Sequence, residues 1–257
     1  MATVHSIAFL VESHIRSLDD RIAGFEEGLQ EVADGLHDLL VDAVPRLEGA
    51  RRDLLLRQVV HLQSQIRGQL NKSGYSDLIE EFISGYDESE VFAKQILEAL
   101  GHSSAMRVPM RADTLEQLKQ FDLDAFEEFG ADAVRQVGRE LTLNTLVGKP
   151  RSAVIKACDA VLQGQFVGQG DVLADTALRS YDRTVCMADW QEAGITKFKY
   201  FGPADKKNRG FCRERVGKVF TLDQIKAISN GSAQFGDVLR YGGGPRCRHT
   251  WQPVVEG

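Results

Sequence analysis

Three side chains toward the C-terminal end of the 257-residue chain, Cys212, Cys247 and His249, offer two thiols and an imidazole. These are donors that Zn2+ takes, and Asp205 or a water could complete a tetrahedral set, so a zinc site is one expectation. Cys247 and His249 stand one residue apart, and in a strand that spacing puts both side chains on the same face. The compact Cys-x2-Cys knuckle of many zinc sites is absent. A metal would explain how a small unit stays folded, because its binding energy becomes folding energy. The plainer alternative is that Cys212 and Cys247 are small buried hydrophobes, as free cysteines often are. Nucleophilic catalysis is a third use, with Arg209, Arg213, Arg246 and Arg248 lowering a thiol pKa and His249 acting as base. No orienting carboxylate or oxyanion-binding helix start is placed to serve it, and a basic neighbourhood equally suits a surface that faces phosphate. The triple glycine Gly242-Gly243-Gly244 is no phosphate loop, since it lacks the Gly-x4-Gly-Lys-Ser/Thr order and leads into a strand-like end.

Around these residues the pattern is that of a small mixed module. Lys197-Phe198-Lys199-Tyr200-Phe201 alternates polar and apolar side chains as a half-buried strand does, and Gly202-Pro203 ends it. Lys218-Val219-Phe220 predicts a short strand, Thr221 caps a helix that runs to Asn230-Gly231, and His249 to Val255 is again strand-like. The charge is concentrated here as well. From Ile195 to Trp251 there are twelve Lys or Arg against four Asp or Glu, a local excess of +8 in a chain whose net charge is −6, which leaves −14 elsewhere. An acidic body with a basic end excludes bulk coating of nucleic acid but leaves local phosphate contacts open, through Lys206, Lys207, Arg213, Arg215 and Arg246.

The rest of the chain reads as helix. Ile15, Leu18, Ile22, Phe25, Leu29, Val32, Leu36, Leu39 and Ala43 recur at steps of three and four, the stripe of a long amphipathic helix interrupted in propensity by Gly24, Gly28 and Gly35 and stopped by Pro45. Such a helix must be held by a partner. Leu47 to Leu70 predicts its antiparallel neighbour, Asn71 to Gly74 a turn, and Leu78 to Ile83 a restart. Asp87 and Glu90 have the spacing of a capping box ahead of a helix that ends at Gly101, and His102 to Pro109 is the candidate linker. One helix is expected to open near Asp113, another to run from Leu123 to Val147, and two more from Ser152 to Leu162 and from Val172 to Glu192, parted by the glycine-rich Gly164 to Gly170. No secretory leader is evident at the start of the chain, and no run reaches the ~18 to 20 apolar residues that span a bilayer.

The order strand, Gly202-Pro203-x-Asp205, Arg209-x-Phe211-Cys212, Gly217-Lys218-Val219-Phe220, short helix, Gly-Gly-x-x-Arg246-Cys247-Arg248-His249-x-Trp251 resembles the C-terminal module of the phage Mu-type minor head protein (head morphogenesis) family. The resemblance covers Arg183 to Val254. Many members end in His-Pro-x-Cys-Arg-Cys where this chain has Gly-Pro-Arg-Cys-Arg-His. What the resemblance implies is a structural protein rather than an enzyme, present in few copies, that acts in procapsid assembly near the portal and stays in the virion or in the host cytoplasm during assembly. Its implied partners are the portal and other capsid or head-tail proteins, with non-specific DNA contact through the basic module and no membrane. Asp205, Arg209, Gly217, Arg248 and Trp251 would be structural determinants of the module, with Asp205 and Arg209 as a pair and Trp251 as core anchor. Other readings of the same residues are an accessory DNA- or zinc-binding protein at the head or head-tail junction, and a cysteine-dependent enzyme.

The expected fold is mainly α: an elongated helical body made of an N-terminal hairpin or bundle (1–108) and a further helical region (109–194), carrying a small basic α+β module (195–257).

Overall fold

The computed structural model describes residues 4–44, 52–101 and 109–254. The fold is mainly α with a small α+β module at the C-terminal end. Seven longer helices come first: α1 (Val4–Ala43), α2 (Arg52–Lys72), α3 (Tyr75–Ser84), α4 (Asp87–Ala99), α5 (Pro109–Leu146), α6 (Arg151–Val161) and α7 (Gly168–Glu192). The module follows as β1 (Lys197–Phe201), α8 (Gly210–Arg215), β2 (Val219–Thr221), α9 (Leu222–Lys226), α10 (Val238–Tyr241) and β3 (Thr250–Pro253). Among the described residues no helix is long and apolar enough to cross a membrane.

The chain divides into two compact units, and their boundaries fall inside helices rather than at the connections near 108 and 194. One comprises Met1–Ile22, Ser84–Lys119 and Ala174–Gly257; the other comprises Ala23–Ile83 and Gln120–Leu173. Of the predicted linker His102 to Pro109, residues 102–108 lie outside the described residues and Pro109 opens α5. Pro45, expected to end or bend the first helix, also lies outside them, and α1 ends at Ala43.

In the second unit the stripe of α1 is buried as its spacing predicts at Phe25, Leu29, Val32 and Leu36, but at its end Leu40 and Val44 are inside while the expected Leu39 and Ala43 are half-buried. Phe25, Phe82 and Phe126 form an aromatic knot with ring centroids 4.5 to 5.6 Å apart. Two expectations are corrected here. A break between Asp113 and Leu123 does not occur, because Met110 to Phe129 contains neither Gly nor Pro and nothing in it stops a helix; α5 is continuous. The glycine-rich stretch after Val161 is likewise helical, its Leu162–Val167 segment winding as a π-turn. Phe166 explains why it stays wound: it is fully buried, 5.4 Å from the Tyr75 ring and 6.0 Å from the Phe129 ring.

Gly130 on α5 shows what a glycine within a helix is for. A Cβ there would lie 2.3 Å from Cε1 of Tyr75, whose hydroxyl donates a 2.7 Å hydrogen bond to the Phe126 carbonyl and so cannot swing aside. Gly24 on α1 has nothing within 4 Å of the same position. Gly130→Ala is therefore expected to lower stability by roughly 1 kcal/mol, the net of about 1–3 for overpacking against about 1 gained in helix propensity. Gly24→Ala, with only the propensity term, should raise it. Urea denaturation of the two variants checks the opposite signs.

The first unit holds polar groups at depth. His14 Nε2 lies 2.6 Å from Asp182 Oδ1, both side chains buried, with the imidazole stacked on Phe92 at 3.8 Å. Burial alone would raise the Asp182 carboxyl, but His14 and Arg183 outweigh it and hold the pKa down. Arg179 is bound to Asp175 at 2.6 Å and to Asp19, so its buried charge is paired. The capping box expected of Asp87 is not formed. The residue ahead of α4 is Tyr86, which makes no side-chain cap, and Asp87 instead takes Lys119 Nζ at 2.5 Å while its charge still favours the first helical turn.

Candidate functional site

The module is built on a three-stranded antiparallel sheet in the order β2-β1-β3. Alternation in β1 buries Phe198 and Tyr200 and leaves Lys197 and Lys199 half-buried on the other face, as its sequence predicts. The register sets Tyr200 opposite Trp251 and Phe198 opposite both Phe220 and Pro253. Trp251 is fully buried, its ring 4.6 Å from Tyr200 and 5.8 Å from Phe220, and its Nε1 donates to the Val238 carbonyl at 3.1 Å. Thr221 caps α9 with a complete capping box closed by Gln224, although that helix ends at Lys226 rather than at Asn230. Gly217, at φ 80°, turns the chain after α8 and donates its N–H to the Tyr200 carbonyl at 2.8 Å, which returns the backbone to the sheet.

Around Tyr200 the three donors converge. Cys212 comes from α8, an element the sequence reading did not anticipate, and Cys247 and His249 from the loop that leads into β3. The sulphurs of Cys212 and Cys247 are 3.7 Å apart, and Cys247 Sγ is 3.8 Å from Nδ1 of His249. All three ligand atoms lie within 4.8 Å of one another, on buried residues. The Tyr200 hydroxyl reaches both sulphurs, at 3.5 and 3.3 Å, and the Tyr200 ring stacks on His249 at 5.1 Å. Nε2 of His249 is 3.0 Å from the Pro203 carbonyl, which can only accept, so the proton sits on Nε2 and the Nδ1 lone pair faces the thiols.

The triple glycine is the bed on which the sulphurs lie. A Cβ on Gly243 would be 2.6 Å from Cys212 Sγ, and one on Gly242 would be 2.9 Å from Cys247 Sγ. The Gly243 N–H also donates to Cys247 Sγ at 3.2 Å. Electrostatically the two thiols differ. The hydrogen bond from Cys212 lowers Cys247 well below the usual thiol range, helped by His249 and the nearby Arg183, whereas the same bond and burial raise Cys212. The arrangement favours one thiolate at Cys247. Burial and the neighbouring sulphurs push the Tyr200 phenol far up, so it remains a donor.

The loop is locked to α7 by Arg183, which is 3% exposed. Its Nε donates to the His249 carbonyl at 2.7 Å, Nη1 to the Arg240 and Arg179 carbonyls at 3.1 and 3.2 Å, and Nη2 to the Cys247 carbonyl. One guanidinium thus fixes the backbone of both ligand-bearing residues. In the sequence Arg183 marks only the start of the resemblance and carries no signal for this role, since nothing local couples position 183 to 240–249.

Asp205 is placed otherwise than expected. It does not join the sulphur cluster and does not pair with Arg209; its two oxygens take Nη2 of Arg248 at 2.8 and 2.7 Å, which lowers its pKa, and Oδ1 accepts the Lys207 N–H at 2.9 Å. Arg209 instead donates to the Gly243 carbonyl at 3.2 Å, bracing the glycine bed from the other side. Of the proposed phosphate contacts, Lys206, Lys207 and Arg213 are exposed, Arg215 lies over the Phe211 ring at 4.0 Å, and Arg246 Nε is 3.5 Å from Asp175. Above the donors opens a recess of about 260 Å³ lined by Cys212, Cys247, His249 and Asp175 together with Lys207, Arg209, Arg246 and Arg248.

Chemically, the cluster can hold a soft cation through two sulphurs and one nitrogen, or exist as a hydrogen-bonded dithiol. As a nucleophile either thiol is poorly presented, with Cys212 3% and Cys247 4% exposed, and the base position of His249 is oriented by a carbonyl rather than by a carboxylate. Compared with known proteins, the chain matches no family model, no curated protein and no solved structure.

Proposed function

We propose that the chain is a structural head-morphogenesis protein of a tailed phage, a minor head protein that acts in procapsid assembly near the portal. The observation that supports this reading most is the convergence of residues that carry the family resemblance. Asp205, Arg209, Gly217, Cys212, Cys247, Arg248, His249 and Trp251, spread over the last quarter of the sequence, all serve one module, as pair, brace, turn, donor cluster and core. Residues that hold a module together are buried or paired in this way, whereas a catalytic set would expose its reactive atoms. The basic residues that remain at the surface, Lys206, Lys207 and Arg213, suit contact with packaged DNA or with an acidic protein face.

The reading is tested by genetic complementation. A phage deleted for this chain should make no infectious, DNA-filled heads, and supply of the intact chain in trans should restore them. A chain with Arg183→Leu should restore few or none, whereas Cys158→Ala, which changes a buried thiol of the other unit, should restore them nearly fully. Filled heads in normal number without the chain would contradict the proposal.

A further inference from the structure

We propose that Cys212 Sγ, Cys247 Sγ and His249 Nδ1 bind one divalent ion of the zinc class, with a fourth position open to the basic recess. The inference rests on geometry in this module and stands apart from the head-morphogenesis reading. Tetrahedral coordination with Zn–S arms of ~2.3 Å and Zn–N of ~2.0–2.1 Å places two sulphurs ~3.8 Å apart and sulphur and nitrogen ~3.6 Å apart. Two of the three observed separations, 3.7 Å between the sulphurs and 3.8 Å from Cys247 Sγ to His249 Nδ1, match these values. The third, Cys212 Sγ to Nδ1, lies within 4.8 Å, so a small closing of the Cys212 arm completes the set, and a disulphide would require about 2.05 Å.

The surroundings are those of a coordinated set. His249 has its Nε2 proton engaged by the Pro203 carbonyl, the outer contact that fixes which nitrogen is left to ligate. Cys247 Sγ receives the Gly243 N–H and the Tyr200 hydroxyl, and both donors stabilise sulphur in its charged form. Glycine at 242 and 243 keeps the space beside both sulphurs clear. Among the described residues no fourth His, Cys, Asp or Glu joins the group. Asp205 is occupied by Arg248 and Asp175 by Arg179, so the remaining position faces solvent in the recess, where water or a small anion attracted by Lys207 and Arg246 would complete it. Its function is to tie α8 to the loop before β3, elements 35 residues apart in sequence.

The full chain, produced with zinc in the medium and purified under reducing conditions, is the material for the test. Metal analysis with native mass spectrometry should find one zinc per chain retained through desalting. Exchange for Co2+ should give the intense visible bands of tetrahedral cobalt and a thiolate charge-transfer band in the near ultraviolet. Peptide mapping should show Cys212 and Cys247 alkylating only after a chelator is added. Cys212→Ser and Cys247→Ser should lose the ion, Cys158→Ala should keep it, and His249→Cys should keep it with a stronger charge-transfer band. If the serine variants fail to fold, the stoichiometry and cobalt spectrum of the unaltered chain decide. A chain that binds no zinc when the ion is supplied, or one isolated with Cys212 and Cys247 joined as a disulphide, would overturn the proposal.

Discussion

Replacing Arg183 with leucine is expected to destabilise the unit that carries the C-terminal module by about 3–5 kcal/mol, because each buried carbonyl left without its donor costs about 1–3 kcal/mol and the effects do not simply add. Three carbonyls of the module lose their partner at once, that of Arg240 in α10 and those of Cys247 and His249 in the loop before β3. The Arg179 carbonyl loses a contact as well, but it lies within α7. Leucine fills part of the volume and offers no hydrogen. Lysine at this position should rescue little, since a single ammonium cannot follow the planar fork that reaches separate acceptors. The two tryptophans, Trp190 and Trp251, both belong to this unit, so denaturation followed by their fluorescence reports it directly. A loss under about 1 kcal/mol would mean that the loop holds its shape without the guanidinium, counter to the charge-assisted bonds described here.

The second large effect is expected at Trp251. Truncation to alanine empties a site that is fully buried between Tyr200 and Phe220, and large-to-small changes of aromatic core residues cost about 3–5 kcal/mol. Trp251→Phe keeps most of the ring and loses the hydrogen bond to the Val238 carbonyl, so it should cost much less, on the order of 1–2 kcal/mol. The pair separates packing from polar satisfaction. Circular dichroism and the remaining Trp190 serve as reporters. Equal losses in the two variants would show that the indole N–H, rather than the packed rings, holds the β3 end of the module.

Much of this arrangement was legible in the chain. The step of three and four from Ile15 to Ala43 gives α1, and alternation from Lys197 to Phe201 gives β1 with the correct buried face, because both patterns are local consequences of burying one side of an element. The donor set was legible too, since Cys-x-His carries its chemistry in its types. What could not be read locally depends on contacts far apart in sequence. Phe166 keeps a glycine-rich segment helical by packing on Tyr75 and Phe129, so composition alone suggested a break that packing removes. Asp205 had several cations within reach, and its choice of Arg248 over Arg209 is set by where β3 returns beside β1. Arg183 had no sequence signal for its role, because its module acceptors are backbone carbonyls of α10 and of the loop before β3, 57 to 66 residues away. Nothing local assigns a role to Gly242 and Gly243, and only the positions of the two sulphurs explain why side chains are excluded there.

The central claim, that this is a structural component of a phage head, is tested most directly by quantitative mass spectrometry of purified procapsids and mature virions, with this chain counted against the portal protein. Its detection at low copy in one or both particles is the expected result. Presence in both would mark a virion component, and loss on maturation an assembly factor. Absence from both particles would contradict the account.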